Sequence, residues 1–149
     1  MSLQTDIIFV RALRENQELM AQLPAGDVYN TAIALPEPEA ENAPLPYIIV
    51  SYDGMTNDQT TKDSFEGDTD TVTIGIEVAA STRKELFDIT QAVRTTVLGF
   101  FEQLPEDDED FAEAPLDYQL SATAVNYDDL KPCYWQRLSY QCDVRAQDV

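Results

Sequence analysis

An α+β fold, with a single antiparallel β-sheet of four to five strands packed against two main α-helices, follows from three features of this 149-residue sequence. Residues 71–104 pass from strand to helix periodicity within one apolar pattern, residues 116–127 and 133–146 alternate like half-buried strands, and residues 5–23 repeat apolar side chains at helical spacing. Strands apolar on one face and helices apolar along one stripe bury both by stacking in two layers. The length suits one domain, residues 1–149, with enough chain for a sizeable core.

From Thr5, TDIIFVRALRENQELMAQL reads as an amphipathic helix with Ile8, Leu13 (or Ala12), Leu19 and Leu23 inward, Thr5 or Asp6 as cap, and Pro24 and Gly26 as its stop. Residues 28–35 have the composition of a short strand whose Tyr29, Thr31, Ile33, Leu35 face is more apolar than that of Val28, Asn30, Ala32 and Ala34. Prolines and glutamates make residues 36–46 a surface loop. The run YIIVSY from Tyr47 is β-rich and apolar on both faces at its start, which predicts a central strand. Residues 53–70 are polar, carry turn chemistry at Asp53-Gly54 and Glu66-Gly67-Asp68, and join two strands able to pair antiparallel. A connection of that length is more often functional or mobile than structural.

The organising unit follows. Val72, Ile74, Ile76, Val78 and Ala80 share one strand face. Leu86, Ile89, Val93, Val97, Phe100 and Leu104 then form a helical stripe, with Phe87, Leu98 and Phe101 widening it. Thr82 and Glu85, three apart, have capping-box spacing. Residues 105–115 read as an acidic, solvated connector. In 116–127 the inward set is Leu116, Tyr118, Leu120, Ala122 and Ala124, and Asp128 to Pro132 is of hairpin-turn length. In 133–146 Tyr134, Leu138, Tyr140, Cys142 and Val144 face inward, while Trp135, Arg137, Ser139, Gln141, Asp143 and Arg145 face out.

Twenty-eight acidic residues against nine basic ones give a formal net charge of −19. Such a surface repels phosphate, so neither nucleic acid nor an anionic membrane is an expected partner; a solubility role or complementarity to a basic partner fits it. No apolar run has the length of a membrane span, and the N-terminal residues lack a signal-peptide pattern. Cys133 and Cys142 sit roughly 30 Å apart along one predicted strand, beyond disulfide reach, and read as buried free thiols.

Histidine is absent, which removes the commonest general base and zinc ligand, and there is no phosphate loop, dinucleotide fingerprint or CxxC. No catalytic, cofactor or metal site is expected. The aspartates of 53–70 lack the register of an EF-hand loop, and the chemistry left open is that of carboxylates, a paired acid and base or a magnesium site drawn from Asp53, Asp58, Asp63, Asp68 or Asp70. The better candidates are interface residues: Asp53, Asp58, Lys62, Asp63 and Phe65 in the polar segment, and Trp135 with Arg137 on the outward strand face, where aromatic and guanidinium groups suit protein contact. The other reading of Trp135 is that a helix, such as the N-terminal one, covers that face.

The element order, with PYIIVSY, then TVTIGIEVAASTRKELFDITQAVRTTVL, then a closing YWQRLSYQCDVRA, resembles the tail-completion or tail-terminator proteins of long-tailed bacteriophages and prophages over nearly the whole chain. That resemblance implies a small α+β subunit that closes into a hexameric ring, caps the tail tube and offers the surface to which the head joins, without catalysis. Its implied partners are copies of itself, the tail tube protein and the head-tail connector protein, and its implied location is the bacterial cytoplasm during assembly and then the virion tail. A different class is a monomeric acidic module of the DNA-mimic type that occupies a basic protein surface.

Overall fold

The computed structural model describes residues 5–23, 28–30, 45–57, 69–103, 111–130 and 132–145, with backbone alone at 29–30, 57, 69, 111–120 and 145. The alternating segment becomes the middle strand, β3 (Thr69–Ala80), and the others arrange around it: α1 (Thr5–Glu15), α2 (Gln17–Ala21), β1 (Val28–Asn30), β2 (Tyr47–Asn57), α3 (Arg83–Glu102), β4 (Phe111–Ala122), β5 (Asn126–Asp128) and β6 (Cys133–Arg145). The sheet order is β1-β2-β3-β6-β4, with β5 also paired to β6. All pairings are antiparallel except β1 with β2. This is the expected α+β class, with one helix and one strand more than expected because two segments are each divided.

One face of the sheet meets the helices. Val72, Ile74, Ile76, Val78 and Ala80 on β3 are fully buried with Ile48 and Val50 of β2 and Leu138, Tyr140, Cys142 and Val144 of β6. Leu86, Ile89, Val93, Val97 and Phe101 of α3, and Ile8, Phe9 and Leu13 of α1, fill the other side of that layer. Phe9 joins the two helices to the sheet, its ring centroid 5.4 Å from Phe101 and 6.1 Å from Tyr140. α3 starts as its spacing predicts: the Glu85 amide donates to Thr82 Oγ1 at 3.1 Å, while the Glu85 carboxylate accepts from the amide of Ser81, one residue earlier than in the usual box. The cysteines are free and buried.

Several expectations change. The first helix is broken at Asn16, whose Oδ1 accepts from the Leu19 amide at 3.0 Å to cap α2, and whose Nδ2 donates to Thr96 of α3 at 3.0 Å. A residue that competes for backbone amides ends one helix and begins another. β2 runs on to Asn57 through the predicted turn, because Asp53 is the extra residue of a bulge and Gly54 takes φ +141°, leaving 58–68 as the connection. The predicted connector 105–115 gives way to β4 from Phe111, and Ala122 and Ala124 are exposed where the sequence places them inward, since β4 ends at Ala122. On α3, Phe87 and Leu98 do not widen the buried stripe; they are 65% and 40% exposed. Val28, assigned to the less apolar face of its strand, is buried. Residues 31–44, the 58–68 connection, Pro24, Gly26, Leu104 and the faces of residues 116–120 lie outside what is described.

Candidate functional site

The second face of the sheet carries Tyr47, Ile49 and Ser51 of β2, Thr71, Thr73, Gly75, Glu77 and Ala79 of β3, and Trp135, Arg137, Ser139, Gln141 and Asp143 of β6. Their placement follows from the strand pairings and from the burial of the alternate residues. Both described main helices, α1 and α3, pack on the opposite face through Phe9, Phe101 and Tyr140. Of the two readings of Trp135, the one in which the N-terminal helix covers it is therefore incorrect.

Across the centre of this face runs a charged strap. Arg137 projects from β6, Asp53 and Ser51 from β2, and between them on β3 stands Gly75, paired with Ser51 on one side and Ser139 on the other. Arg137 Nη2 donates to Asp53 Oδ2 at 2.5 Å, Asp53 Oδ1 at 2.6 Å and Ser51 Oγ at 2.8 Å, and the Ser51 hydroxyl donates to Asp53 Oδ1 at 2.9 Å. The guanidinium passes directly over Gly75: a Cβ there would land on it and lie 2.5 Å from the Asp53 carboxylate. A missing side chain in a central strand thus makes room for a bond between strands that are not neighbours. The two side chains keep 30% and 27% exposure, so solvent screens the pair and its contribution is ~1 kcal/mol.

The flanks of the strap differ. Thr123 fixes the Arg137 backbone, its hydroxyl accepting from the Arg137 amide at 3.1 Å and its amide donating to the Arg137 carbonyl at 2.9 Å. Glu77 pairs in register with Arg137, and burial pushes its carboxyl above the ordinary 4.5 while the guanidinium pulls it partly back. Towards the start of α3 the row Tyr47–Ala79–Trp135 is aromatic, with Ala79 buried beneath its two large neighbours. Towards the other end, Thr71 Oγ1 donates to Asp143 at 2.8 Å.

Of the predicted interface residues, Asp53 and Arg137 are brought into direct contact, with Trp135 two positions from Arg137 on the same face. Asp58, Lys62, Asp63 and Phe65 lie outside the described residues. The magnesium grouping is divided. Asp53 is on the open face, whereas Asp70 is buried on the helix side, where it and Asp6 add to the effect of burial in raising the Tyr52 phenol. Asp58, Asp63 and Asp68 are not described, and no group of three or more acidic or cysteine side chains among the described residues is placed to hold a metal. Ser51, Gly75 and Glu77 were not singled out by sequence; a lone glycine inside an otherwise apolar alternating strand was the available signal. The open cleft between α2 and the start of α3, about 300 Å³ and lined by Gln22, Lys84, Glu85, Asp88 and Ile89, mixes both charges without a convergent set. No helix of the described residues is long and apolar enough to cross a membrane.

No protein-family model matches the chain, and no curated protein matches it.

Proposed function

We propose that this chain is a structural assembly subunit, of the kind that caps a phage or prophage tail tube as a ring of identical copies and presents a joining surface for the head. The observation that carries the reading is the open sheet face. Among the described residues no helix packs on it, a three-strand strap crosses it, and it sets an aromatic row, Tyr47 and Trp135, beside a fixed Arg137. Aromatic and arginine side chains on a rigid support are what a protein interface uses for its strongest contacts. The net charge of −19 suits a ring through which DNA passes without adhering. The sequence resemblance supplies the biological setting: the partners are the tail tube protein and the head-tail connector protein, and the protein passes from host cytoplasm to virion.

The DNA-mimic reading asks for carboxylates in rows at phosphate-like spacing. The described open face offers Asp53, Glu77 and Asp143 separated by hydroxyls, glycine and Arg137, which favours the assembly role. Purified protein mixed with tail tubes should bind their ends and stop further growth, read by negative-stain electron microscopy. Tubes that lengthen unchecked, with no density at their ends, would overturn the proposal, and Trp135→Ala should reduce end binding without unfolding the protein.

A further inference from the structure

α3 has two unlike flanks. On one, Thr96 accepts from Asn16 at the α1–α2 junction, so that flank faces the other helices. The opposite flank carries Arg83, Phe87, Arg94 and Leu98 at spacings of four, seven and four, which puts them in one stripe. α3 lies over β3 and β6 and α1 over β1 and β2, so the flank turned away from α1 is on the β6 side of the sheet, where the Arg94 charge acts on the buried Tyr140 phenol of β6. Of the acids of α3, Glu85 and Asp88 fall outside this stripe by helical position, while Glu102 follows Leu98 by four at the helix end. In a chain with nineteen excess negative charges, a stripe of two arginines alternating with a 65% exposed phenylalanine and a 40% exposed leucine is a local reversal of surface character.

The complementary surface is on the same chain. The β5–β6 connection opens with Asp128-Asp129-Leu130 and goes on through Lys131 and Pro132; the Asp128 carboxylate accepts from the Leu130 amide at 2.9 Å, fixing its start, and Leu130 is 97% exposed. A projecting leucine preceded by two carboxylates matches, in both charge and apolarity, a helix flank on which Arg83 and Arg94 alternate with Phe87 and Leu98. We propose that the Arg83–Leu98 flank of α3 is a self-association surface that receives the acidic Asp128–Leu130 turn of a second copy of this chain. This deepens the assembly role proposed above by naming the contact through which copies join. A contact between two different patches of one chain is heterologous and generates rings when its rotation closes.

The test is a charge swap read by light scattering coupled to gel filtration at low salt and high concentration. Wild type should elute as a multimer and dissociate as salt rises. Arg94→Glu, alone or with Phe87→Ser, should give monomer with an unchanged circular dichroism spectrum, and adding Asp129→Lys to Arg94→Glu should restore multimer. A monomeric wild type, or a swap that fails to restore association, would overturn the contact. A multimer that survives Arg94→Glu with Phe87→Ser would also overturn it, while leaving self-assembly through another surface standing. A multimer that behaves as expected but ignores tail tubes upholds the contact and removes only the tail-end role.

Discussion

β3 shows two ways of finishing one strand. Its even-numbered residues, Val72 to Ala80, are held by volume, each filling space against α1 or α3 at no exposure. On its odd-numbered side, at Gly75, the strand is finished by reach: side chains from the strands on either side lean over and meet above it. The first device is insensitive to direction but intolerant of lost methylenes. The second tolerates solvent but depends on one guanidinium having a clear path. A face built by reach keeps its side chains partly exposed, and so can serve as a contact surface in a way that a packed face cannot.

The largest expected effect lies on the packed face. Ile76→Ala should destabilise by about 3 kcal/mol in urea unfolding, from lost burial and the cavity left between β3 and the helices. A change below about 1 kcal/mol would show that the helix layer is not tightly packed on β3. On the open face Arg137→Ala should cost only ~1 kcal/mol. The sharper measurement is a cycle: the coupling between Asp53→Ala and Arg137→Ala should vanish in a Gly75→Ala background, where the added methyl occupies the guanidinium's path. Coupling that persists would mean that the strap can route around β3.

A smaller effect concerns pH. The folded state raises the Glu77 carboxyl, so between the ordinary 4.5 and the raised value the folded form binds more protons than the unfolded form. Glu77 therefore lowers stability as pH rises through that window, and Glu77→Gln should flatten this part of the stability curve. Because Arg137 opposes the shift, Arg137→Ala should steepen it; an unchanged slope would remove Arg137 from the environment of Glu77. Smallest of all is the outer stripe of α3, where Phe87→Ser should alter monomer stability by less than ~0.5 kcal/mol in thermal or urea unfolding.

The packed face was legible because periodicity is a property of one segment: the β3 alternation and the α3 stripe each appear in a single read of the chain. The strap was only half legible. Asp53 and Arg137 stand out as charges, but their meeting depends on the register of three strands, which residues far apart in sequence set together. Phe87 and Leu98 were misassigned for a related reason. An apolar residue at the margin of a stripe is buried only if something lies beyond the stripe, and α1 occupies just one side of α3. Asn16 shows the reverse case, a polar residue inside a good helical pattern whose two side-chain bonds override that pattern and break the helix.

The bulge at Asp53 carries a consequence for how such a chain can diversify. Before it, even-numbered residues of β2 face the helices; after it, Met55 takes the helix side opposite Val72. Register between β2 and β3 is thus pinned at Asp53-Gly54, by one extra residue and by the guanidinium that grips it, well upstream of the connection at 58–68. Length changes within that connection should therefore leave the pairing of Tyr47 to Asn57 with β3 in place, because its register is set before the connection begins.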